Sequence, residues 1–258
     1  MNSIEKNISL QEKYKAVPAS LFNKEKVEKT KLAVFDFDET LVESQDMFYE
    51  LMAEAMKRLN LPSSFDIVKN IFAKWDNEYI GWGKDLEEQK HIYTYKYQPM
   101  ITKLASDPYF LNQMVFFNGM KEVIKILAET DIALAIASSR DLTSILLFLK
   151  KEGVKDYFSM VEATEGGKNF KDKPNSEIVN YISQEMGITL DNAVMIGDSP
   201  WDIKMGKNAG MKTIAVGYSK YSVKSKLENE KPDIYMESME RPMRLLTSIQ
   251  HLVNSKYI

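Results

Sequence analysis

The chain has 258 residues, is 44% apolar, and contains no cysteine and only two histidines. It can fill a substantial core, yet disulfides, thiolate nucleophiles, cysteine-bound zinc or iron–sulfur clusters and a histidine-rich metal site are excluded. The net charge of −3 comes from interspersed acids and bases, so no basic stripe offers itself to a nucleic acid, and a nucleic-acid partner is not expected.

Residues 1–30, rich in Lys, Glu, Asn and Ser, read as a polar extension or, through Leu21, Phe22 and Val27, as a helix packed on the core. They carry neither a signal-peptide apolar stretch nor transit-peptide character, and no run approaches the roughly 20 apolar residues of a membrane helix. A cytoplasmic protein without a membrane partner is the expectation. Leu32 to Phe35 then forms an apolar strand that ends in Asp36-Phe37-Asp38-Glu39-Thr40. After Thr40, Met47, Phe48, Leu51, Met52, Ala55, Met56 and Leu59 recur at helical spacing up to Leu61-Pro62, and helical patterning resumes over 65–80 and from Gly83 to about Phe116. From Asn118 onward helices alternate with short apolar runs. Helices are predicted over 120–129, 142–151, 176–186 and 201–208, with Gly210 as a C-cap, and strands over 132–137, 158–161, 193–196 and 213–216. Such alternation predicts a parallel sheet covered by helices on both faces, an α/β Rossmann-like core formed by 31–43 and 117–258, with 44–116 as an inserted all-helical cap.

Four strand ends carry the chemistry, because ligands of open α/β sheets bind outside the carboxyl ends of the strands. Asp36, directly after its strand, suits a nucleophile that attacks phosphorus, and Asp38 a separate general acid and base. A Mg²⁺ ion would offset the repulsion between these carboxylates and a phosphate. Ser138 and Ser139 end a second strand and can donate to phosphate oxygens. Lys173 before Pro174 is a compact positive charge, with Lys171 and Lys168 as rivals. Gly197 permits a tight turn, Asp198 can reach a cation shared with Asp36, and Asp202 can support it from the following helical turn. Each piece alone has a blander reading as a turn, a helix cap or a solvated side chain. Their joint occurrence in this order, each after a predicted strand, argues otherwise.

From about Lys31 to Tyr235 the chain resembles the haloacid dehalogenase superfamily of phosphohydrolases, on Asp36-Phe37-Asp38-Glu39-Thr40, Ser138, Lys173-Pro174 and Gly197-Asp198-Ser199 with Asp202. The resemblance implies Asp36 as nucleophile and Mg²⁺ ligand, and Asp38 as general acid/base and metal ligand through its main-chain carbonyl. It implies Ser138 and Lys173 as phosphate binders, Asp198 as metal ligand, and Asp202 as a supporting acid. The insert looks like the helical cap of the phosphoglycolate phosphatase and β-phosphoglucomutase branch, and the 35 positions from Ser138 to Lys173 leave no room for the large second type of cap. Glu39 stands where many relatives have glycine and adds negative charge that can favour or reject particular substrates.

A Mg²⁺-dependent phosphatase acting on a small phosphorylated metabolite is therefore expected. A phosphomutase, which would need cap cations such as Lys57, Arg58 or Lys84, and a non-catalytic binding protein are the alternatives. The oligomeric state is not legible. Among the cap aromatics Phe48, Trp75, Tyr79, Trp82, Tyr93, Tyr95 and Tyr97, Trp82 between two glycines reads as a loop that could lie over the site. Hinges are expected at 42–44 and 117–119.

Overall fold

The computed structural model describes residues 29–62 and 82–254; the expectations for the N-terminal extension, for the helix over 65–80 and for Trp75 and Tyr79 lie outside the described residues. Strand β1 (Lys31–Phe35) is the hub of the molecule. Its side chains alternate between two buried faces, Ala33 and Phe35 entering one apolar cluster and Leu32 and Val34 the other. Burial on both faces is why the strand reads as an unbroken apolar run.

Two short strands, β2 (Val42–Glu43) and β3 (Val115–Phe116), pair antiparallel where the chain leaves and re-enters the sheet domain. Between them lie α1 (Gln45–Arg58), α2 (Leu86–Ile92), a π-helical turn over Tyr93–Tyr97, α3 (Gln98–Ala105) and α4 (Pro108–Leu111). The two crossings expected as hinges are thus tied into one ribbon, and the N–H of Phe117 donates to Leu41 O at 3.1 Å beside it. Two-residue strands carry no periodicity, so the sequence gives no sign of this ribbon.

The chain continues through α5 (Met120–Ala128), β4 (Ile132–Asp141), α6 (Leu142–Lys151), β5 (Met160–Glu165), α7 (Glu177–Met186) and β6 (Ala193–Gly197). It closes with α8 (Pro200–Asn208), β7 (Lys212–Val216), α9 (Lys224–Asn229), β8 (Ile234–Met236) and α10 (Met243–Asn254). The sheet order is β5-β4-β1-β6-β7-β8 and every pairing is parallel. Helices α5, α6 and α10 bury their apolar residues on the Phe35 face, while Ile178, Val179 and Ile182 of α7 cover the other. The fold is the Rossmann-like α/β core with a helical insert. Strand order reverses around β1, because the chain builds outward through β4 and β5 and then returns to β6 on the other side. That switch point is where such sheets open a crevice at their carboxyl ends.

Several boundaries differ from expectation for physical reasons. Strand β5 begins at Met160 because a 3-10 turn over Lys155–Tyr157 precedes it, and Phe158 packs into the core from the connection. Strand β4 runs on to Asp141, with a register irregularity between Ser138 and Asp141. Gly210, at φ 76°, follows the Ala209 C-cap of α8 in the left-handed region expected of it. The elements after Val216 lie beyond the predicted ones, although Leu245, Leu246, Ile249, Leu252 and Val253 show the helical spacing that marks α10. Among the described residues no helix is long and apolar enough to cross a membrane.

Trp82 corrects the loop expectation. It is 1% exposed, its ring centroid lies 4.7 Å from that of Tyr97, and its Nε1 donates to Pro62 O at 3.4 Å. The flanking glycines suggested a loop, but the indole fills the core of the helical insert. Trp82→Ala should therefore lower unfolding stability by about 3–5 kcal/mol, read as a shifted denaturant midpoint. An unchanged midpoint would contradict the core assignment.

Candidate active site

The switch point gathers residues from all four strand-end stretches. Asp36 is held at the end of β1 by its own N–H, which donates to Ile196 O of β6 at 2.8 Å. Lys173 Nζ donates to Asp36 Oδ1 at 2.5 Å and to Asp202 Oδ1 at 2.7 Å, and its side chain is only 7% exposed. The other oxygen of Asp202 accepts from Ser199 N at 3.1 Å and Ser199 Oγ at 2.6 Å, within a capping box that begins α8. Asp198 Oδ1 accepts from Thr40 Oγ1 at 3.3 Å. One carboxylate oxygen each from Asp36, Asp198 and Asp202 fall within 4.8 Å of one another.

The rival lysines lie elsewhere: Lys171 pairs with Glu177 at 2.6 Å on the surface, and Lys168 with Glu162 at 3.0 Å. Sequence spacing cannot separate three lysines within six residues. The fold does so by turning only Lys173 into the acidic cluster.

Burial pushes the Asp36 carboxyl up to about 7 despite the Lys173 ammonium beside it, with the Asp202 charge adding to the rise. Asp198 is also raised well above the usual carboxylate range, by burial first and then by the charges of Asp36 and Asp202. For Lys173 burial acts downward, but the Asp202 and Asp36 carboxylates outweigh it and hold the ammonium protonated. Three carboxylates thus face one ammonium, and the excess negative charge suits a small hard dication. Asp36 and Asp198 are the better ligands, because both oxygens of Asp202 are already engaged. A metal displaces protons from such groups, so Mg²⁺ should raise the melting temperature more at about pH 8 than at about pH 5.5, where Asp36 still holds its proton. Equal shifts at the two pH values, followed by thermal denaturation, would contradict this linkage.

Gly197 serves a purpose other than the turn expected of it. A Cβ there would stand 2.2 Å from Asp202 Cβ and 2.4 Å from its Cγ. The residue makes room for the carboxylate that holds Lys173. Gly197→Ala should displace Asp202 and lower turnover by roughly tenfold or more, and a crystal structure of that variant with Asp202 unmoved would refute the steric account.

Asp38 lies apart from the acidic cluster in its bonding. Its Oδ1 accepts from Ser44 Oγ at 2.6 Å, and both its oxygens accept from Arg140 Nε at 3.0 Å. Arg140 Nη2 adds a contact of 2.8 Å to Oδ1. Ser138 is 1% exposed at the same sheet end, two residues beyond the strand partner of Phe35, and its Oγ accepts from Arg140 N at 3.1 Å. Ser139 faces outward and is exposed, so the two hydroxyls do not converge. Neither caps the following helix; Asp141 does, its Oδ2 accepting from Ser144 N at 2.9 Å.

Glu39 has a further role besides its charge. Its φ of 55° is the left-handed region natural to glycine, and its carboxylate accepts from Ser44 N at 2.8 Å, Gln45 N at 2.7 Å and the Ser219 hydroxyl. It caps α1 while that helix's Ser44 hydroxyl is turned to Asp38, and so it ties the insert to the loop after β7. Its charge still reaches Asp198. Sequence reasoning missed Arg140 and Ser44 as partners of Asp38. The signal for Arg140 was its position two residues after Ser138, the spacing that puts side chains on one face of a strand.

At the switch point of a doubly covered parallel sheet stand an aspartate after β1, a buried hydroxyl of β4, a lysine and a further aspartate after β6, an arrangement that suits a hydrolase of the phosphatase kind. The family model described as haloacid dehalogenase-like hydrolase matches residues 33–216, and the chain belongs to that family. It is similar to the "Putative pyrophosphatase PpaX" of Clostridium perfringens, with 28% identity over 231 residues covering 86% of this chain and 98% of that protein. Over 103 residues, 40% of this chain and 47% of that protein, it is 33% identical to the "Pyrophosphatase PpaX" of Halalkalibacterium halodurans. Its fold is that of a haloacid dehalogenase-like family hydrolase from Streptococcus pneumoniae, with a TM-score of 0.63, 18% identity, and coverage of 84% of this chain and 97% of that one.

Proposed function

We propose that the chain is a Mg²⁺-dependent phosphohydrolase that cleaves a small phosphorylated metabolite through an aspartyl-phosphate intermediate. The observation that carries this reading is Lys173 bridging Asp36 and Asp202 at 2.5 and 2.7 Å, with Asp198 in the same cluster. An oxygen of Asp36 attacks phosphorus, and the bond from phosphorus to the leaving oxygen breaks as that oxygen takes a proton from Asp38. Water then attacks phosphorus and gives a proton to Asp38, the bond to Asp36 breaks, and inorganic phosphate leaves. Lys173 and the Ser138 hydroxyl hold phosphate oxygens, while Asp202 fixes Lys173 and Thr40 fixes Asp198. A Mg²⁺ ion held by Asp36, Asp198 and the Asp38 carbonyl would supply positive charge that lets anion meet anion. The helical insert, tied in by the β2–β3 ribbon, would exclude water during transfer.

The names of the relatives put pyrophosphate among the first compounds to test. Arg58, a candidate cap cation for a mutase, is paired with Glu54 on its own helix at 2.8 Å. The experiment is phosphate release from pyrophosphate, phosphoglycolate, sugar phosphates, nucleotides and an aryl phosphate, with Mg²⁺ and with EDTA. Release that requires both the metal and Asp36 is the expected result. Silence on every compound from folded protein would overturn the hydrolase reading of this site.

A further inference from the structure

Arg140 is more deeply buried than a guanidinium needs to be to hold one carboxylate. Its side chain is 3% exposed, two of its nitrogens engage Asp38, and its buried Nη1 has no hydrogen-bond partner. Phe37 of the sheet domain and Phe48 of α1 stand on the guanidinium at 5.9 and 5.7 Å from their ring centroids, which fixes its plane where the two parts of the chain meet. An unsatisfied buried donor is costly, and cationic donors most of all. The proposed reaction, on which this inference rests, adds a second tension. Asp38 Oδ1 takes Ser44 Oγ and Arg140 Nη2 besides the Nε that it shares with Oδ2, so the guanidinium crowds the carboxyl that must reach the leaving group.

We infer that Arg140 reads an anionic group on the leaving side of the substrate, and that this anion takes the guanidinium over from Asp38. The substrate class is then a phosphorylated compound with a second oxyanion, phosphate or carboxylate, next to the transferred phosphate. Such a group satisfies Nη1 and frees Asp38 in one exchange, whereas a neutral leaving group leaves the Arg140–Asp38 fork closed. Arg140 thus selects the substrate through charge and geometry that only a bidentate donor supplies.

The test compares kcat/KM for pyrophosphate and phosphoglycolate with that for glycerol phosphate and p-nitrophenyl phosphate, in wild type, Arg140→Met and Arg140→Lys. The ratio of anionic to neutral leaving groups should fall roughly tenfold to a hundredfold in Arg140→Met, the worth of a charged hydrogen bond, and recover partly in Arg140→Lys. A loss confined to one anionic substrate would assign the site to phosphate or to carboxylate. A ratio unchanged in both variants, even with overall rates lowered, would make Arg140 a purely structural partner of Asp38 and overturn the inference. If wild type releases no phosphate from any compound, the hydrolase reading fails separately. Titration of Asp36→Asn protein with phosphoglycolate and with p-nitrophenyl phosphate then decides the matter for Arg140, since Arg140→Met in that background should weaken only the first.

Discussion

Replacing Asp36 by Asn should lower kcat by a factor on the order of 10³ or more, since the carboxylate oxygen that bonds to phosphorus is lost while the shape of the site is kept. The same substitution should stabilise the metal-free protein. Burial lifts Asp36 from 3.8 to about 7, so the folded state holds a proton that the unfolded chain has already released. Stability drawn from that proton is complete below about pH 4 and is lost as the pH rises through 7. Asn has no proton to lose and no charge to bury. In EDTA, the melting temperature of Asp36→Asn relative to wild type should therefore rise between about pH 5 and about pH 8. A difference that stays flat across this window would show that Asp36 is not strained by its burial, whatever the kinetics.

Lys173→Met should be the most destabilising single change to the site. Among the described residues the lysine is the one cation bonded to both Asp36 and Asp202, and both pairs are more than nine-tenths buried but for Asp36 at 10% side-chain exposure. Removing one partner of a buried ion pair costs about 3–5 kcal/mol, because the charge left behind is uncompensated. Without the ammonium Asp36 holds its proton more tightly. The loss should accordingly be smaller at about pH 5, where Asp36 is protonated, than at about pH 8, and Mg²⁺ should restore part of it. Denaturant unfolding with and without the metal checks this, and stability equal to wild type at the higher pH would sink it. Turnover should fall by roughly 10²-fold or more, because the positive charge facing the phosphoryl group is gone.

Family, fold class and the identity of the first-motif acids were legible because they rest on local patterns. The apolar run of β1 followed by two aspartates records burial on both faces of the strand, and the helices after Asn118 record burial that repeats every 3.6 residues. The sheet order, the ribbon joining the two crossings, and the partners of each acid left no such trace. Arg140 meets Asp38 across 102 positions, and Lys173 meets Asp36 across 137. Nothing local distinguishes Lys173 from Lys171 or Lys168, or Gly197 as space for Asp202 from Gly197 as a turn.

Local sequence was enough to show Asp36, Ser138, Lys173 and Asp198 in order, each after an apolar strand or at the entry to a helix, with no cysteine or histidine cluster to replace them. Tertiary structure alone decided that Glu39 would cap α1, that Trp82 would fill the insert's core, and that Asp38 would rest in the fork of Arg140. The physical reason is that burial imprints a period on neighbouring residues, whereas a hydrogen bond between distant strand ends depends on the register of the whole sheet, and its two partners need share no local pattern at all.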